Sequence, residues 1–257
     1  MDYARRFGGI ARLYGEEGLD ILRNSNIAVI GVGGVGSWAV EGLARSGVGK
    51  LSLFDMDHVA ESNINRQLPA LESEFGKAKV IVLAHRVEQI NPECCVKPID
   101  VFIDENNQSD LISSEFDYVI DCIDNYRAKA ALIAYCKLNK VPVITVGGAG
   151  GQIDPTKIVQ ADLSRSEQDP LLSKTRKLLR KEYNFPVNMK RRFGIPCVFS
   201  KEQQISPANT VCTNRAEKIQ SNLNCGGYGS VMTVTASFGL VAVSYVLNTL
   251  IKKGKKQ

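Results

Sequence analysis

The run Asn26-Ile27-Ala28-Val29-Ile30-Gly31-Val32-Gly33-Gly34-Val35-Gly36 decides the fold. Its apolar residues lead into the glycines without polar alternation, the signature of a strand buried on both faces, as in a parallel sheet. Ser37 to Ser46 then takes up helical periodicity. A strand that ends in Gly31, Gly33, Gly34 and Gly36 and opens into a helix offers an anion free backbone N–H groups and the positive end of a helix dipole. The glycines permit a tight turn and a close approach of backbone to phosphate. Asp55 follows about 20 residues on, at the end of the next strand, where a carboxylate accepts hydrogen bonds from ribose hydroxyls. Together these features predict a nucleotide site. The loop alone leaves the nucleotide open, because an NAD-dependent dehydrogenase begins in much the same way.

Outward from this turn, strands and helices alternate. Residues 1–24 read as helical, Lys50 to Phe54 as a second strand, and Lys77 to Gln89 as a helix closed by Asn91-Pro92. Further strands are expected at Cys95 to Phe102, Tyr118 to Cys122 and Val141 to Val146, with a helix over Arg127 to Asn139. Alternation of this kind predicts an α/β fold, a Rossmann-like mostly parallel sheet flanked by helices, with a C-terminal extension completing the same domain. Past Gly151 the pattern weakens. Gln160 to Lys181 reads as helical, Val198 to Ile205 as a strand, and Ser206 to Gly229 as loop. The expected layout is one domain over 1–257. It comprises a nucleotide-binding core at 1–155, a basic insertion or loop region at 156–229, and an apolar C-terminal helix at 230–251.

The chain has 257 residues, 44% hydrophobic and 23% charged, with a formal net charge of +5. That is an ordinary globular composition, and its mild basic bias permits a nucleic-acid partner without demonstrating one. The cysteines fall into no disulfide framework, and several sit in apolar runs, which points to a reducing, cytoplasmic setting. No C-x-x-C pair occurs, so no structural zinc is expected. No apolar core of signal-peptide type follows the N-terminus. Ser230 to Ile251 is long enough to span a membrane. The Thr, Ser and Asn residues scattered through it favour a buried helix instead, so no stable membrane insertion is expected and peripheral association through this helix stays an alternative.

Downstream residues choose between NAD and ATP. Asp55-Met56-Asp57, then Ser62-Asn63-Ile64-Asn65-Arg66-Gln67, then Lys79, then Asp121-Cys122-Ile123-Asp124-Asn125 fall on loops at the carboxyl ends of strands, where open α/β sheets bind ligands. A triphosphate calls for fixed cations and magnesium. Arg66 can clamp phosphate oxygens through two N–H groups, Lys79 supplies a point charge, and Asp124 can hold Mg2+. Read singly, Arg66 and Lys79 are equally well solvated surface charges and Asp124 a helix N-cap. As a set they predict ATP. His58 and His85 read as surface positions.

In that order and spacing, the glycine loop, Asp-x-Asp, Ser-Asn-x-x-Arg-Gln, Gly-x-x-Lys and Asp-Asn resemble the adenylation domain of ubiquitin-activating enzymes and their bacterial, ThiF-type relatives. The latter activate the C-terminal glycine of sulfur-carrier proteins. The resemblance covers roughly residues 5–150. It implies ATP and Mg2+, attack of a carboxylate on the α-phosphate, an acyl-adenylate and released pyrophosphate. It also implies a homodimer in which an N-terminal arginine crosses to the partner's site, by position Arg12, with Arg6 as the alternative. ATP contacts are then expected from Gly31, Gly33, Gly34, Gly36, Asp55, Asp57, Asn63, Asn65, Arg66, Lys79, Asp124 and Asn125. The catalytic group is Arg12, Arg66, Lys79 and Asp124.

The sulfur-carrier activators usually carry two zinc-binding C-x-x-C pairs, which this chain lacks. Arg6-Phe7-Gly8-Gly9, Gly147-Gly148-Ala149-Gly150-Gly151-Gln152-Ile153-Asp154-Pro155, Gln168-Asp169-Pro170-Leu171, Cys197-Val198-Phe199-Ser200 and Ser237-Phe238-Gly239-Leu240 instead resemble one subfamily, the tRNA threonylcarbamoyladenosine dehydratases. That resemblance implies ATP-dependent cyclisation of a threonylcarbamoyl group on tRNA. Activation of a ubiquitin-like or sulfur-carrier protein remains the second reading, and a nucleotide-binding scaffold without turnover the third. A tRNA substrate would give Lys174, Arg176, Lys177, Arg180, Lys181, Lys190, Arg191 and Arg192 a role on backbone phosphates. Their bland reading is a solvated helix face and loop. Cys225 lies near the position where some relatives keep a reactive thiol, which would bring in a sulfur-transfer or cysteine-desulfurase-type partner; a packed cysteine is its plainer reading.

Overall fold

A computed structural model describes residues 2–205 and 228–255. Its strands are β1 (Asn26–Ile30), β2 (Lys50–Phe54), β3 (Cys95–Ile99), β4 (Tyr118–Asp121), β5 (Val143–Val146), β6 (Ile158–Asp162) and β7 (Pro196–Ser200). Its helices are α1 (Tyr3–Tyr14), α2 (Glu16–Asn24), α3 (Gly36–Arg45), α4 (Lys79–Ile90), α5 (Gln108–Leu111), α6 (Tyr126–Leu138), α7 (Pro170–Glu182) and α8 (Met232–Gly254). The strands form a 7-stranded sheet in the order β3-β2-β1-β4-β5-β7-β6. All neighbours run parallel except β6 and β7, which pair antiparallel.

The strand order places β1 between β2 and β4, and the chain leaves β1 toward opposite edges of the sheet. That is the topological switch point, where open α/β sheets form a crevice. The register sharpens it. Ile30 pairs with Phe54 on one side and Asp121 on the other, so three strands end at one level. Gly31, Asp55 and Cys122 therefore start their loops side by side. The central strands are apolar throughout because helices cover both faces. Ile27, Val29, Leu51, Leu53 and Ile120 pack with α3, α4 and α8, while Ala28, Ile30, Val119 and Val143 pack with α6 and α7. Pro98 sits in β3, an edge strand, where a missing N–H is tolerated.

Several sequence expectations move. Residues 1–24 divide into α1 and α2, because Gly15 between them takes φ 85. The helix expected over Gln160 to Lys181 is instead strand β6, a short turn and then α7. Asp169 stops the merger of the two by capping α7 from an extended backbone, accepting from the Leu172 N–H at 2.9 Å, with Pro170 at the first helical position. The expected strand at Val198 to Ile205 is displaced to Pro196–Ser200. The segment from residue 156, read as an insertion or loop, thus contributes two paired strands and a helix.

Helix α8 is long and apolar enough to cross a membrane, yet 61% of its most apolar window is buried. Val234, Phe238, Ala242, Val246 and Leu250 join the main core. Leu240 faces outward. Replacing Phe238 with Ala should cost about 3–5 kcal/mol, the usual loss for a buried aromatic, whereas Leu240→Ala should stay within about 0.5 kcal/mol. Urea denaturation followed by circular dichroism checks both; equal, small losses would show that α8 is not a core element.

Candidate nucleotide site

The turn after β1 can be built only from glycine at two places. Gly31 adopts φ +81, and a Cβ there would meet the Cys122 carbonyl oxygen at 3.1 Å. A Cβ on Gly36 would meet the Gly31 carbonyl oxygen at 1.8 Å, so any side chain would break the turn into α3. Asp55 braces this loop from β2. Its Oδ2 accepts from the Val32 N–H at 2.8 Å and its Oδ1 from the Asp57 N–H at 2.9 Å. Burial is the largest influence on this carboxyl and raises its pKa; the backbone donors and Lys79 act the other way. Asp55 was expected to meet ribose hydroxyls. The structure gives both of its oxygens a backbone partner, so its first task is to hold the glycine loop against the β2 loop.

Cations line the same crevice. Lys79, the first residue of α4, is almost wholly buried and its Nζ donates to Asp57 Oδ2 at 2.8 Å. Arg66 follows a short 3-10 turn (Glu61–Asn63), and its Nη1 donates to the Ser62 carbonyl at 2.9 Å and Asn65 Oδ1 at 3.0 Å. Those acceptors are neutral. Burial lowers the Arg66 pKa, which marks a partly desolvated cation. The Trp38 indole N–H, from α3, donates to the Arg66 carbonyl at 3.0 Å and fixes the backbone beneath it. Asp124 closes the opposite wall. Burial is the largest influence there too and raises its carboxyl pKa, partly countered by a backbone N–H and by Lys129.

These groups surround one cavity of about 520 Å³, a normal size for a small-molecule site. Gly31, Gly33, Gly34, Asp55, Asp57 and Asn63 line it, with Arg66, Lys79 and Asp124. Cys122 lines it as well, and burial pushes its thiol up to about 12. Gln67 is a lining residue that sequence reading missed, and its Oε1 is buried with no partner among the described residues. On the far side stands the Gly147-Gly148-Ala149-Gly150 segment. A cavity with a glycine-rich helix entrance, two cations and an acid fits a phosphate-bearing nucleotide.

Residues 3–257 match the ThiF family. The chain belongs to the ThiF family. Among ThiF relatives, the tRNA threonylcarbamoyladenosine dehydratase of Haemophilus influenzae is 55% identical over 254 residues, covering 98% of this chain and 95% of the relative. The crystal structure of Escherichia coli tRNA N6-threonylcarbamoyladenosine dehydratase, TcdA, in complex with AMP superposes with a TM-score of 0.90 at 46% identity, covering 99% of this chain and 97% of that one. The same E. coli enzyme in complex with ATP gives a TM-score of 0.89.

Not every expected residue reaches this ThiF cavity. Asn125 turns its side chain to α6, capping the N–H groups of Arg127 and Ala128. Asn65 points to the Ser230 carbonyl at 2.8 Å and to Arg66. Gly36 shapes the turn from below and does not line the cavity. Arg12 is exposed on the last turn of α1, outside its own chain's cavity, with its guanidinium lying along Gly8 and Gly9. Arg6 is engaged elsewhere: its Nη1 donates to the carbonyls of Gln89 at 3.2 Å and Ile90 at 2.8 Å, at the C-terminal end of α4. His58 and His85 are exposed, as expected. Cys225 lies outside the described residues.

The basic segment divides. Lys174, Lys177, Lys181, Lys190, Arg191 and Arg192 are exposed. Arg180 is built into the fold instead, donating to the Pro186 carbonyl at 3.3 Å with its guanidinium 5.0 Å from the Phe193 ring centre. Arg176 is half-buried and bonds to the Ser166 hydroxyl.

Beneath the cavity floor lies a polar network that sequence reading overlooked. Lys129 and Asp121, both 0% exposed, pair at 2.8 Å. Lys129 Nζ also donates to Thr145 Oγ1 at 3.1 Å, the Thr145 hydroxyl donates to Asp121 Oδ2 at 2.7 Å, and Asp121 Oδ1 accepts from the Ile123 N–H at 3.0 Å. The network pins the turn that presents Asp124. Its signal was available: Lys129 stands among Ala128, Ala130, Ala131 and Leu132, a charge on an apolar helix face. Lys129→Met should cost about 3–5 kcal/mol by stranding a buried carboxylate, and adding Asp121→Asn should recover part of that loss. A double-mutant cycle in urea measures this; simple additivity would mean the two residues are not coupled.

Proposed function

We propose that this chain dehydrates threonylcarbamoyladenosine in tRNA, using ATP to adenylate the threonyl carboxylate before ring closure. One observation carries the reading: Arg66, Lys79 and Asp124, from three different segments, meet the glycine turn around one cavity. The near full-length likeness to tRNA threonylcarbamoyladenosine dehydratases supports the choice of carboxylate.

The chemistry follows from the charges. A carboxylate is a poor electrophile, so its oxygen first attacks the α-phosphorus of ATP. The bond to pyrophosphate breaks, and an acyl-adenylate forms. Charge that builds on the phosphate oxygens meets fixed donors: the N–H groups of the glycine turn, Arg66 and Lys79. A neighbouring nucleophilic atom of the same modification then attacks the acyl carbon and AMP leaves with the carboxylate oxygen. The sum is loss of one water from the nucleoside. Because the second nucleophile is intramolecular, its effective concentration is high and no protein nucleophile is required. The elevated Cys122 thiol accords with that.

Magnesium fits the donor set only in part. Among the described residues no cluster of three or more His, Cys, Asp or Glu side chains is gathered. Asp57 pairs with Lys79, and Asp124, on the loop after β4, is the carboxylate that would hold Mg2+, the remaining oxygens coming from phosphate and water. Bound there, the ion would neutralise charge on the departing pyrophosphate.

Arg12 completes the site from a second copy of the chain. Its exposure, its absence from its own cavity and the engagement of Arg6 on α4 all support that assignment. Exposed Lys174, Lys177, Lys181, Lys190, Arg191 and Arg192 contact RNA phosphates in this reading.

Exchange of labelled pyrophosphate into ATP tests the assignment. Exchange should require tRNA bearing threonylcarbamoyladenosine and vanish in Asp124→Ala. Arg66→Gln and Lys79→Met should each lose about 10²–10³-fold in kcat/KM, the usual effect of removing a donor from developing charge. Mass spectrometry of the nucleosides should show loss of one water. Exchange driven instead by a small protein with a diglycine tail would replace the substrate. Mixing inactive Arg12→Ala and Asp124→Ala proteins should restore turnover, since a mixed dimer keeps one complete site; no restoration would remove Arg12 from the partner's site.

The Asp124 carboxyl also sets a pH limit. Its pKa is raised by burial, so on acidification it takes up a proton while an ordinary aspartate, near 3.9, is still ionised. Protonation removes the metal-holding charge. The acidic limb of kcat/KM should therefore fall above the ordinary aspartate range and weaken or disappear in the residual activity of Asp124→Asn. A limb that is unchanged in that variant assigns the titration to another group.

A further inference from the structure

A second cavity, of about 390 Å³, adjoins the nucleotide cavity and shares Gln204 and Tyr228 with it. Gln168, Ser173 and Gln203 supply amides and a hydroxyl to its wall, Tyr228 supplies an aromatic face, and Arg176 is its cation. We propose that this cavity is the acceptor-nucleotide subsite, where the modified base is held while its carboxylate faces the ATP site, and that Arg176 receives the adjoining backbone phosphodiester. The proposal rests on the tRNA reading above.

Lys174 and Lys177 of α7 are exposed, whereas Arg176 and Arg180 are half-buried. Arg180 is engaged by the Pro186 carbonyl and the Phe193 ring, which leaves Arg176 as the half-buried cation that lines this cavity. Its hydrogen bond goes to a neutral hydroxyl, that of Ser166. Among the described residues no carboxylate lies in ion-pair contact with it. Asp169 acts on Arg176 electrostatically, but its two oxygens already accept from the Leu172 and Gly148 N–H groups, each at 2.9 Å. A desolvated guanidinium without an acid partner is poised for an anion that arrives with the ligand.

The other groups suit a nucleobase. Single-stranded RNA is read by stacking splayed bases on aromatic rings and by hydrogen bonds to their edges. Tyr228 offers the ring, and the glutamines offer paired donors and acceptors. Gln204 Oε1 is buried with no partner among the described residues, at the junction of the two cavities. That acceptor awaits a donor such as a urea or exocyclic N–H. Asp169 links the two sites mechanically, since it holds Gly148 of the ATP cavity and caps α7, which carries Ser173 and Arg176.

The test uses the full-length protein, ATP and an anticodon stem-loop RNA bearing threonylcarbamoyladenosine, with dehydrated nucleoside as readout. Arg176→Gln should raise KM for the RNA about tenfold or more while leaving KM for ATP unchanged. Arg176→Lys should recover part of the loss. The slope of log affinity against log salt should shrink by about 0.7 in Arg176→Gln, one single-strand phosphate contact. Ser173→Phe, which fills the cavity from an exposed position, should raise the same KM without touching Arg176. A wild-type KM and salt slope in Arg176→Gln, or a wild-type KM in Ser173→Phe, overturns the subsite. An equal rise in KM for ATP and for RNA in both variants also overturns it, by making the cavity part of the ATP site. If the wild-type protein forms no dehydrated nucleoside, the tRNA reading itself fails, which is a different result.

Discussion

The structure depends on three strand ends meeting at one level. β1, β2 and β4 stop together, and the space between their loops is smaller than a methyl group at Gly36 and strained for any L side chain at Gly31. Asp55 clamps this junction by accepting backbone N–H groups from two loops at once. Burying a carboxylate is costly unless it is hydrogen-bonded. Here two backbone donors offset the cost, and the result is a loop with little freedom to move. The N–H groups that will meet phosphate are thus held in place before any ligand binds.

Charge is distributed around that junction in pairs and in single, waiting groups. Lys79 with Asp57, and Lys129 with Asp121, are matched at 2.8 Å each. The Lys129–Asp121 pair is fully buried, so removing one member is severe and the pair fixes geometry, whereas Asp57 is exposed and its pair with Lys79 contributes less. Arg66 is different: its partners are a carbonyl and an amide oxygen, and burial has already stripped some of its water. An incoming triphosphate meets a cation that folding has already partly desolvated. Such an arrangement favours stabilising charge as it develops over binding a resting carboxylate.

The sequence made the front half of the molecule readable because one signal served several purposes there. The glycines, the apolar run before them and Asp55 together located β1, β2 and the crevice, and both strands begin and end where expected. Arg66, Lys79 and Asp124 were legible because motif order put them on loops at strand ends. The helix expected over Gln160 to Lys181 fails because Asp169 caps the start of α7 from an extended backbone. Asp55 and Asn125, assigned to the nucleotide, also satisfy local backbone, at the glycine loop and at the start of α6. Capping and bracing compete with ligand binding for the same residue types. Only the folded chain shows which use prevails. Lys129 was overlooked although its charge stands on an apolar helix face, because the burial of its pair with Asp121 and its bond to Thr145 appear only once α6 is packed on the sheet.

That contrast divides the labour of the molecule. Up to β4, the residues around the cavity are those any nucleotide-activating α/β domain needs, and they carry little information about the group that is activated. From Gly147 onward the chain turns to other work: β7 extends the parallel sheet, β6 reverses on its edge, and α7, started by Asp169, packs beside α6 on one face of the sheet. Asp169 is the hinge of this arrangement, because a Cβ on Gly147 would meet its Oδ2 at 2.0 Å while its other oxygen caps the helix. The glycine-rich stretch after β5 therefore exists to let a carboxylate from the second half touch the first. If α7 carries substrate choice, as proposed above, that choice is mechanically continuous with the phosphate site through Asp169, and a common activating fold can take a new carboxylate by changing the segment C-terminal to β5.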